Sequence, residues 1–231
     1  MRYIVGDIHA NIRELENLLR LLHIAPADEL IFLGDYIDKL PYTQQTLALL
    51  TALQSECNCI FLKGNHEYVW DQYVNERKIE RQSFLLQFGG AETLREYRPE
   101  AQQALLQNDL QTLREVLDPY FLLISQMKDW RSVDGYLALH AGLLEEQYEQ
   151  SPLVFREANY FVRPERIPFE KKYLDCDVLV AGHTHLSDEP TIKRGYINID
   201  LGAGYGKFLG AFSTEEHCII RSDGKTFPLA A

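Results

Sequence analysis

The chain has little sulfur, no excess of positive charge and no long apolar run. Of its 231 residues, 4 are Cys, 2 Met and 2 Trp. Cys57, Cys59, Cys176 and Cys218 match neither the spacing of a zinc ribbon nor a secreted disulfide framework. Cys57 and Cys59 are expected on one face of a buried strand, CNCIFL, so all four read as inert thiols in a reducing cytoplasm. Lys and Arg number 23 against 34 Asp and Glu, a net charge of -11, and no basic run exists to track a phosphate backbone. That excludes a nucleic-acid polymer as partner. No stretch approaches the roughly 18 apolar residues of a membrane span, and MRYIVGDIHA has no basic leader, so no membrane contact is expected.

With 46% apolar residues the chain can fill a core, and a chain of this size buries roughly 70% of its surface on folding. No linker rich in Pro, Gly or Ser divides it, so 1–231 reads as a single domain of open oligomeric state. Short apolar runs at Tyr3–Val5, Leu30–Leu33 and Cys59–Leu62 each end at a glycine-bearing turn. After the first, Leu15, Leu18, Leu19 and Leu22 recur at helical spacing behind Asn11 and Glu14, which resemble a capping box. After the second come Thr46, Leu47, Leu50 and Leu53. These βα units imply a parallel sheet covered by helices. Residues 67–117, rich in Gln, Glu, Leu and Arg, read as a helical region serving as lid, dimer face or sheet cover. Strand signals return at Phe121–Ile124, Tyr136–Leu139, Val178–Ala181, Tyr196–Ile199, Phe208–Phe212 and Cys218–Ile220, the late ones spaced like hairpins. The expected fold is α/β: two mixed sheets packed as a sandwich with helices outside.

Polar residues collect where the apolar runs end: Gly6-Asp7-Ile8-His9, Gly34-Asp35-Tyr36-Ile37-Asp38, Gly64-Asn65-His66-Glu67, Leu139-His140-Ala141-Gly142 and Gly182-His183-Thr184-His185. Loops leaving parallel strands at their carboxyl ends meet at one sheet edge, where ligands bind. Each segment alone reads as a turn, a helix cap or a satisfied histidine. Together, so many Asp, His and Asn side chains are costly to bury without a cation. Carboxylate, imidazole and amide donors without thiolate favour Mn, Fe, Zn, Co or Mg. The donors exceed one tetrahedral shell, so two ions sharing a carboxylate fit better.

GDIHA, GDYID, GNHE, LHAG and GHTH, in that order, resemble the calcineurin-like metallophosphoesterases, and most of all their bacterial phosphoprotein phosphatase (serine/threonine phosphatase-like) branch. The likeness runs from Met1 to about Phe212 and includes FGGAETLREY, VFREANYF and NIDLGAGYGKFLGAF. It implies two divalent ions, most readily Mn. Asp7, His9 and His185 would hold the first, Asn65, His140 and His183 the second, and Asp35 would bridge them. It implies direct attack by a metal-bridging hydroxide, His66 as general acid paired with Asp38, and Arg156, Lys39 and Asn65 against phosphate oxygens.

The sequence departs from that branch in specific places. Lys39-Leu40 replaces Arg-Gly, keeping the charge but losing the bidentate fork. Ala10 replaces a glycine, a mild change where φ is negative, and His185 follows the wider superfamily pattern. Lys207 in GYGKF reads equally as a site residue or a solvated lysine. The expected activity is phosphomonoester hydrolysis on phosphoserine, phosphothreonine or phosphotyrosine. The alternatives are a bis(5'-nucleosyl)-tetraphosphatase, a small-molecule phosphodiesterase, and a scaffold that has lost turnover. Base stacking would fall to aromatics around Tyr68–Tyr73 and Tyr160–Phe161, which read more readily as packing groups.

Overall fold

Alternation along the first strands decides which face of the sheet meets which partner. β1 (Arg2–Val5), β2 (Glu29–Phe32) and β3 (Asn58–Phe61) lie side by side and parallel in a computed structural model that describes residues 1–150, 152–167, 171–173 and 175–229. Tyr3, Val5, Leu30 and Phe32 point to one side, where they join Leu15, Leu18 and Leu22 of α1 (Ile12–Leu22) and Leu47, Leu50 and Leu53 of α2 (Thr43–Glu56). Ile4 and Ile31 point to the other side, as a strand period of two requires. Asn11 caps α1, its side chain accepting from the Glu14 N–H at 3.3 Å.

The remaining strands are β4 (Trp130–Val133), β5 (Tyr136–Leu139), β6 (Val178–Ala181), β7 (Thr191–Lys193), β8 (Tyr196–Asn198), β9 (Gly210–Ser213), β10 (Cys218–Arg221) and β11 (Thr226–Pro228). One sheet has the order β11-β10-β9-β1-β2-β3 and the other β4-β5-β6-β8-β7. Ile4 and Ile31 of the first meet Ala138, Val180 and Ile197 of the second in a shared core, so the sheets pack face to face. The outer face of the second sheet, Leu137, Leu139, Leu179 and Tyr196, is closed by Leu143, Val162, Ile167 and Tyr173 from irregular chain and 3-10 turns. The folded chain exposes 10564 Å², close to the ~10,700 Å² expected for one globule of this mass.

Three expectations change. The second half is not antiparallel throughout: β5, β6 and β8 are parallel, and β9–β11 return to extend the first sheet. Phe121–Ile124 is not a strand but the end of α8 (Asp118–Ile124), where Pro119 starts the helix and Tyr120, Phe121, Leu123 and Ile124 are buried. Cys57 lies at the end of α2 rather than in β3; its Sγ is 3.7 Å from that of Cys59, and burial raises both thiols. All four cysteines are free. The middle region is helical as expected: α3 (Asn65–Val74), α4 (Gln82–Gln87), α5 (Gly90–Thr93), α6 (Pro99–Gln107) and α7 (Leu110–Val116). No described helix is long and apolar enough to cross a membrane.

Candidate active site

All five polar segments leave the carboxyl ends of parallel strands, β1, β2, β3, β5 and β6, and meet at one edge of the sandwich. Their backbones are tightly bent. His9, Ala10, Asp35, Asp38, Lys39 and His183 all have positive φ, between 48° and 69°. Such conformations are disfavoured for side-chain-bearing residues and persist where the surroundings enforce them. Ala10, at φ 56°, therefore does not sit at negative φ; its methyl group carries strain that a glycine there would lack. At Gly182 a Cβ would lie 1.9 Å from Asp7 Oδ1, so only glycine lets the β6 turn close over that carboxylate.

Asp35 is the hub. Its Oδ1 lies 3.5 Å from His140 Nε2 and its Oδ2 lies 3.3 Å from His9 Nε2. Two sets of ligand atoms, His9–Asp35–His66 and Asp35–His140–His183, each fall within 4.8 Å of one another and share Asp35. The hydrogen bonds fix where the lone pairs are. His140 Nδ1 donates to the Leu33 carbonyl at 3.1 Å and His9 Nδ1 to the Ile37 carbonyl at 3.0 Å. Burial pushes His140 down, His9 to about 4 and His183 to about 3, so these rings are neutral near pH 7. The Nε2 atoms of His140 and His9 therefore carry lone pairs, yet the first faces Asn65 Oδ1 at 2.8 Å, itself an acceptor. His183 Nδ1 lies 2.8 Å from that oxygen and 3.2 Å from His140 Nε2. Asp7 Oδ2 accepts from the His183 N–H at 2.9 Å, while its buried Oδ1 has no partner. Acceptors converging on acceptors in a buried pocket are the signature of a cation site. The donor set fits divalent metal.

His66 is held differently. Its Nδ1 lies 2.6 Å from Asp38 Oδ2, leaving Nε2 facing the cleft, 3.8 Å from Asp35 Oδ2. Burial pulls its pKa down, but Asp35 and the Asp38 bond outweigh that and leave it above the ordinary histidine value. Asn65 opens α3 yet caps nothing, since Gly64 is the cap residue and Oδ1 points at the histidines.

A family model for calcineurin-like phosphoesterases matches residues 3–187. The chain belongs to that family. It is a hydrolase of a family that uses divalent metal ions. It is 26% identical over 230 residues to the bis(5'-nucleosyl)-tetraphosphatase PrpE [asymmetrical] of Geobacillus sp. (strain WCH70), covering 92% of this chain and 90% of that protein. Among solved structures its fold resembles a putative diadenosine tetraphosphatase at 20% identity, with TM-score 0.56 over 95% of this chain and 91% of that one. It also resembles a protein serine/threonine phosphatase of Saccharomyces cerevisiae at 13% identity, with TM-score 0.58 over 100% of this chain and 80% of that one.

In this phosphoesterase the cationic and aromatic residues lie partly where the sequence did not place them. Arg156 stands half exposed with its guanidinium 3.4 Å from Glu146, and it does not line the cleft over the hub. Arg163, seven residues on, does line it. The 3-10 turn at Glu157–Phe161 makes the difference: Asn159 is buried and takes the Arg156 N–H at 2.8 Å, which turns the chain before Arg163. Lys39 lines the cleft too, with Nζ 2.7 Å from His9 Nε2 and 4.8 Å from the centre of the Tyr205 ring. Lys207 is instead paired with Asp188 at 2.7 Å. His185 lies in the cleft wall, Nδ1 3.4 Å from the Asp200 carbonyl and its ring 5.5 Å from that of Tyr205. Of the aromatics expected to stack on a base, Tyr68 stacks on Tyr160 at 4.7 Å and Tyr73 is buried; Phe161 alone reaches the cleft, joined by Phe84, Phe88 and Tyr205.

Glu67, quoted in GNHE without a role of its own, and Asp200, outside the five segments, are both buried carboxylates. Glu67 ties the β2 and β3 loops together: it accepts from the N–H groups of Asp35 at 2.7 Å, Gly64 at 3.0 Å and Tyr36 at 3.1 Å, and from the Tyr120 hydroxyl at 2.7 Å. Burial, with Asp35 nearby, pushes it up to about 7. An amide has one acceptor oxygen and would turn an NH2 toward these donors. Glu67→Gln is therefore expected to cost about 3 kcal/mol, lowering Tm by roughly 6–12 °C. A thermal scan within 2 °C of the parent would remove Glu67 from this role.

Proposed function

We propose that the protein hydrolyses phosphoric esters or anhydrides of nucleoside polyphosphates, with His66 as general acid. The observation that carries the substrate class is the cleft above Asp35: about 410 Å³, walled by the Phe84–Phe88–Phe161 cluster and by Tyr205, and containing Lys39 and Arg163. That volume suits a small ligand rather than a protein surface. Phe88 and Tyr205, 41% and 63% exposed, are platforms on which a base can stack, while the two cations meet phosphate oxygens. The nucleosyl-tetraphosphatase likeness over nearly the whole chain supports the same reading.

Asp7, His9, Asp35 and His185 would hold one divalent ion and Asp35, Asn65, His140 and His183 the other, manganese being the metal to test first. When bound, the ions supply an activated water and offset charge on the phosphoryl group. The chain's own residues do the rest. His66 Nε2 carries a proton into the cleft toward the leaving oxygen, and Asp38 on its other nitrogen keeps the ring oriented and charged. No serine or cysteine nucleophile is required. The free thiols fit a reducing compartment.

A second reading, phosphomonoester hydrolysis on phosphoserine or phosphothreonine, draws on the Lys39–Arg163 pair, which suits a dianion. Parallel assays with Mn on diadenosine tetraphosphate, phosphopeptides, p-nitrophenyl phosphate and bis-p-nitrophenyl phosphate separate the two. The dinucleotide should lead the phosphopeptides in kcat/KM by at least about tenfold; the reverse order would establish the second reading. Within the preferred reading, Arg163→Ala should raise KM for the dinucleotide about tenfold, the worth of one charge-assisted hydrogen bond. Arg156→Ala should stay within about twofold, being a surface ion pair. The opposite ranking would return Arg156 to the phosphate.

A further inference from the structure

The helical region supplies more than cover. Asp38, 0% exposed, sits in a turn where both it and Lys39 have positive φ. Nothing in β2 or α2 holds that carboxylate. Its partners come from the helices instead. Trp70 of α3 donates its indole N–H to Asp38 Oδ1 at 3.0 Å and Oδ2 at 3.1 Å. Thr93, the last residue of α5, uses one hydroxyl twice: it accepts from the Asp38 N–H at 3.0 Å and donates to Asp38 Oδ1. Gly89, just before α5, makes this contact possible; with φ 99°, a Cβ there would lie 2.2 Å from the Lys39 nitrogen. Thr93 and Trp70 are both 0% exposed, so no water competes for these bonds.

We infer that Thr93 is a positioning residue for the acid: through Asp38 it fixes the imidazole of His66, and the FGGAET stretch exists to bring it there. This rests on His66 being the general acid. A carboxylate with two oxygens has several ways to meet a histidine. Here Thr93 takes Oδ1 and the Trp70 indole is shared between the two oxygens, so His66 Nδ1 meets Oδ2, the oxygen that the hydroxyl does not occupy. Removing the hydroxyl frees the Asp38 side chain to rotate and also strips the Asp38 N–H of its acceptor. The ring is then misplaced by a fraction of an ångström, an error that general acid catalysis feels in kcat and substrate binding does not.

Thr93→Val keeps the shape and deletes the hydroxyl; Thr93→Ser keeps the hydroxyl. Each is compared with the parent and with His66→Asn on p-nitrophenyl phosphate and phenyl phosphate, in the Mn-loaded protein, alongside Mn titration and thermal unfolding. Thr93→Val is expected to lose about tenfold in kcat on phenyl phosphate and under about threefold on p-nitrophenyl phosphate, with KM and Mn uptake unchanged. Thr93→Ser should recover the parent rate within about twofold. Equal losses on both esters, no loss, or a serine variant as impaired as the valine one would overturn the inference. If His66→Asn itself shows no dependence on the leaving group, the acid assignment has failed and the positioning role falls with it. If His66→Asn shows the dependence and Thr93→Val does not, only the positioning role falls. Should Thr93→Val not fold, Thr93→Cys carries the same comparison.

Discussion

Asp35→Asn is expected to abolish both metal retention and turnover. Asp35 is 2% exposed and faces three imidazoles at once, those of His9, His66 and His140, while its Oδ1 also accepts from the His66 backbone N–H at 3.2 Å. Burial alone would raise its pKa, but the rings of His140, His66 and His9 outweigh that and hold its carboxyl well below the usual carboxylate range. It is the one negative charge common to both ligand sets. Asparagine keeps the size, loses the charge, and can offer only one oxygen. Substitutions just outside a metal's ligands typically cost roughly 10–100-fold in affinity, so loss of a shared ligand should exceed about 100-fold. If the ions contribute several kcal/mol to the barrier, kcat should fall by about 10³-fold. Metal content after dialysis and turnover at saturating Mn check the two effects separately. A variant that keeps two ions and the parent rate would show that Asp35 bridges nothing. Retention of one ion with loss of rate would place Asp35 on a single ion.

How much of this was legible in the sequence follows the range of each interaction. Strand–turn–helix units were readable because period-two and helical spacings are local, and Leu15, Leu18, Leu47 and Leu50 are buried as their spacing requires. The candidate donors stood out because each follows a strand end, and the fold brings such ends together. Phe121–Ile124 was misread because a four-residue apolar run has no period of its own; Pro119 and the packing of Tyr120 make it a helix. Strands β4, β7 and β11 were missed because they are short edge strands whose residues are half exposed. Arg156 stands away from the cleft for a tertiary reason: Asn159, three residues on, donates to the Gly142 carbonyl at 2.9 Å and exchanges hydrogen bonds with Gln147, an arrangement invisible in VFREAN. Thr93 lies 55 residues from Asp38, and no spacing rule joins them.

His66→Asn should separate acid from ligand, since His66 also belongs to the first ligand set. The fold is expected to survive. Asp38 would lose one partner but keep the Trp70 indole and the Thr93 hydroxyl, so its charge is not left bare, and the cost should be about 1–3 kcal/mol. If His66 gives a proton to the leaving oxygen, the variant binds Mn as the parent does. Its kcat then falls by about 10²–10³-fold on phenyl phosphate but by less than about tenfold on p-nitrophenyl phosphate, whose leaving group departs without help. If His66 is instead a ligand, Mn affinity drops and both esters lose rate together. The hydrogen bonds favour the first outcome. Nδ1 is engaged at 2.6 Å by a carboxylate that favours the charged ring, and a charged ring has no lone pair to offer a metal. His9 and His140 are the contrast: each donates through Nδ1 to a neutral carbonyl, and burial keeps each ring uncharged with its Nε2 lone pair turned inward. On the proposed assignment, the partner of Nδ1, a carboxylate at His66 and a backbone carbonyl at His9 and His140, would separate a proton donor from metal ligands.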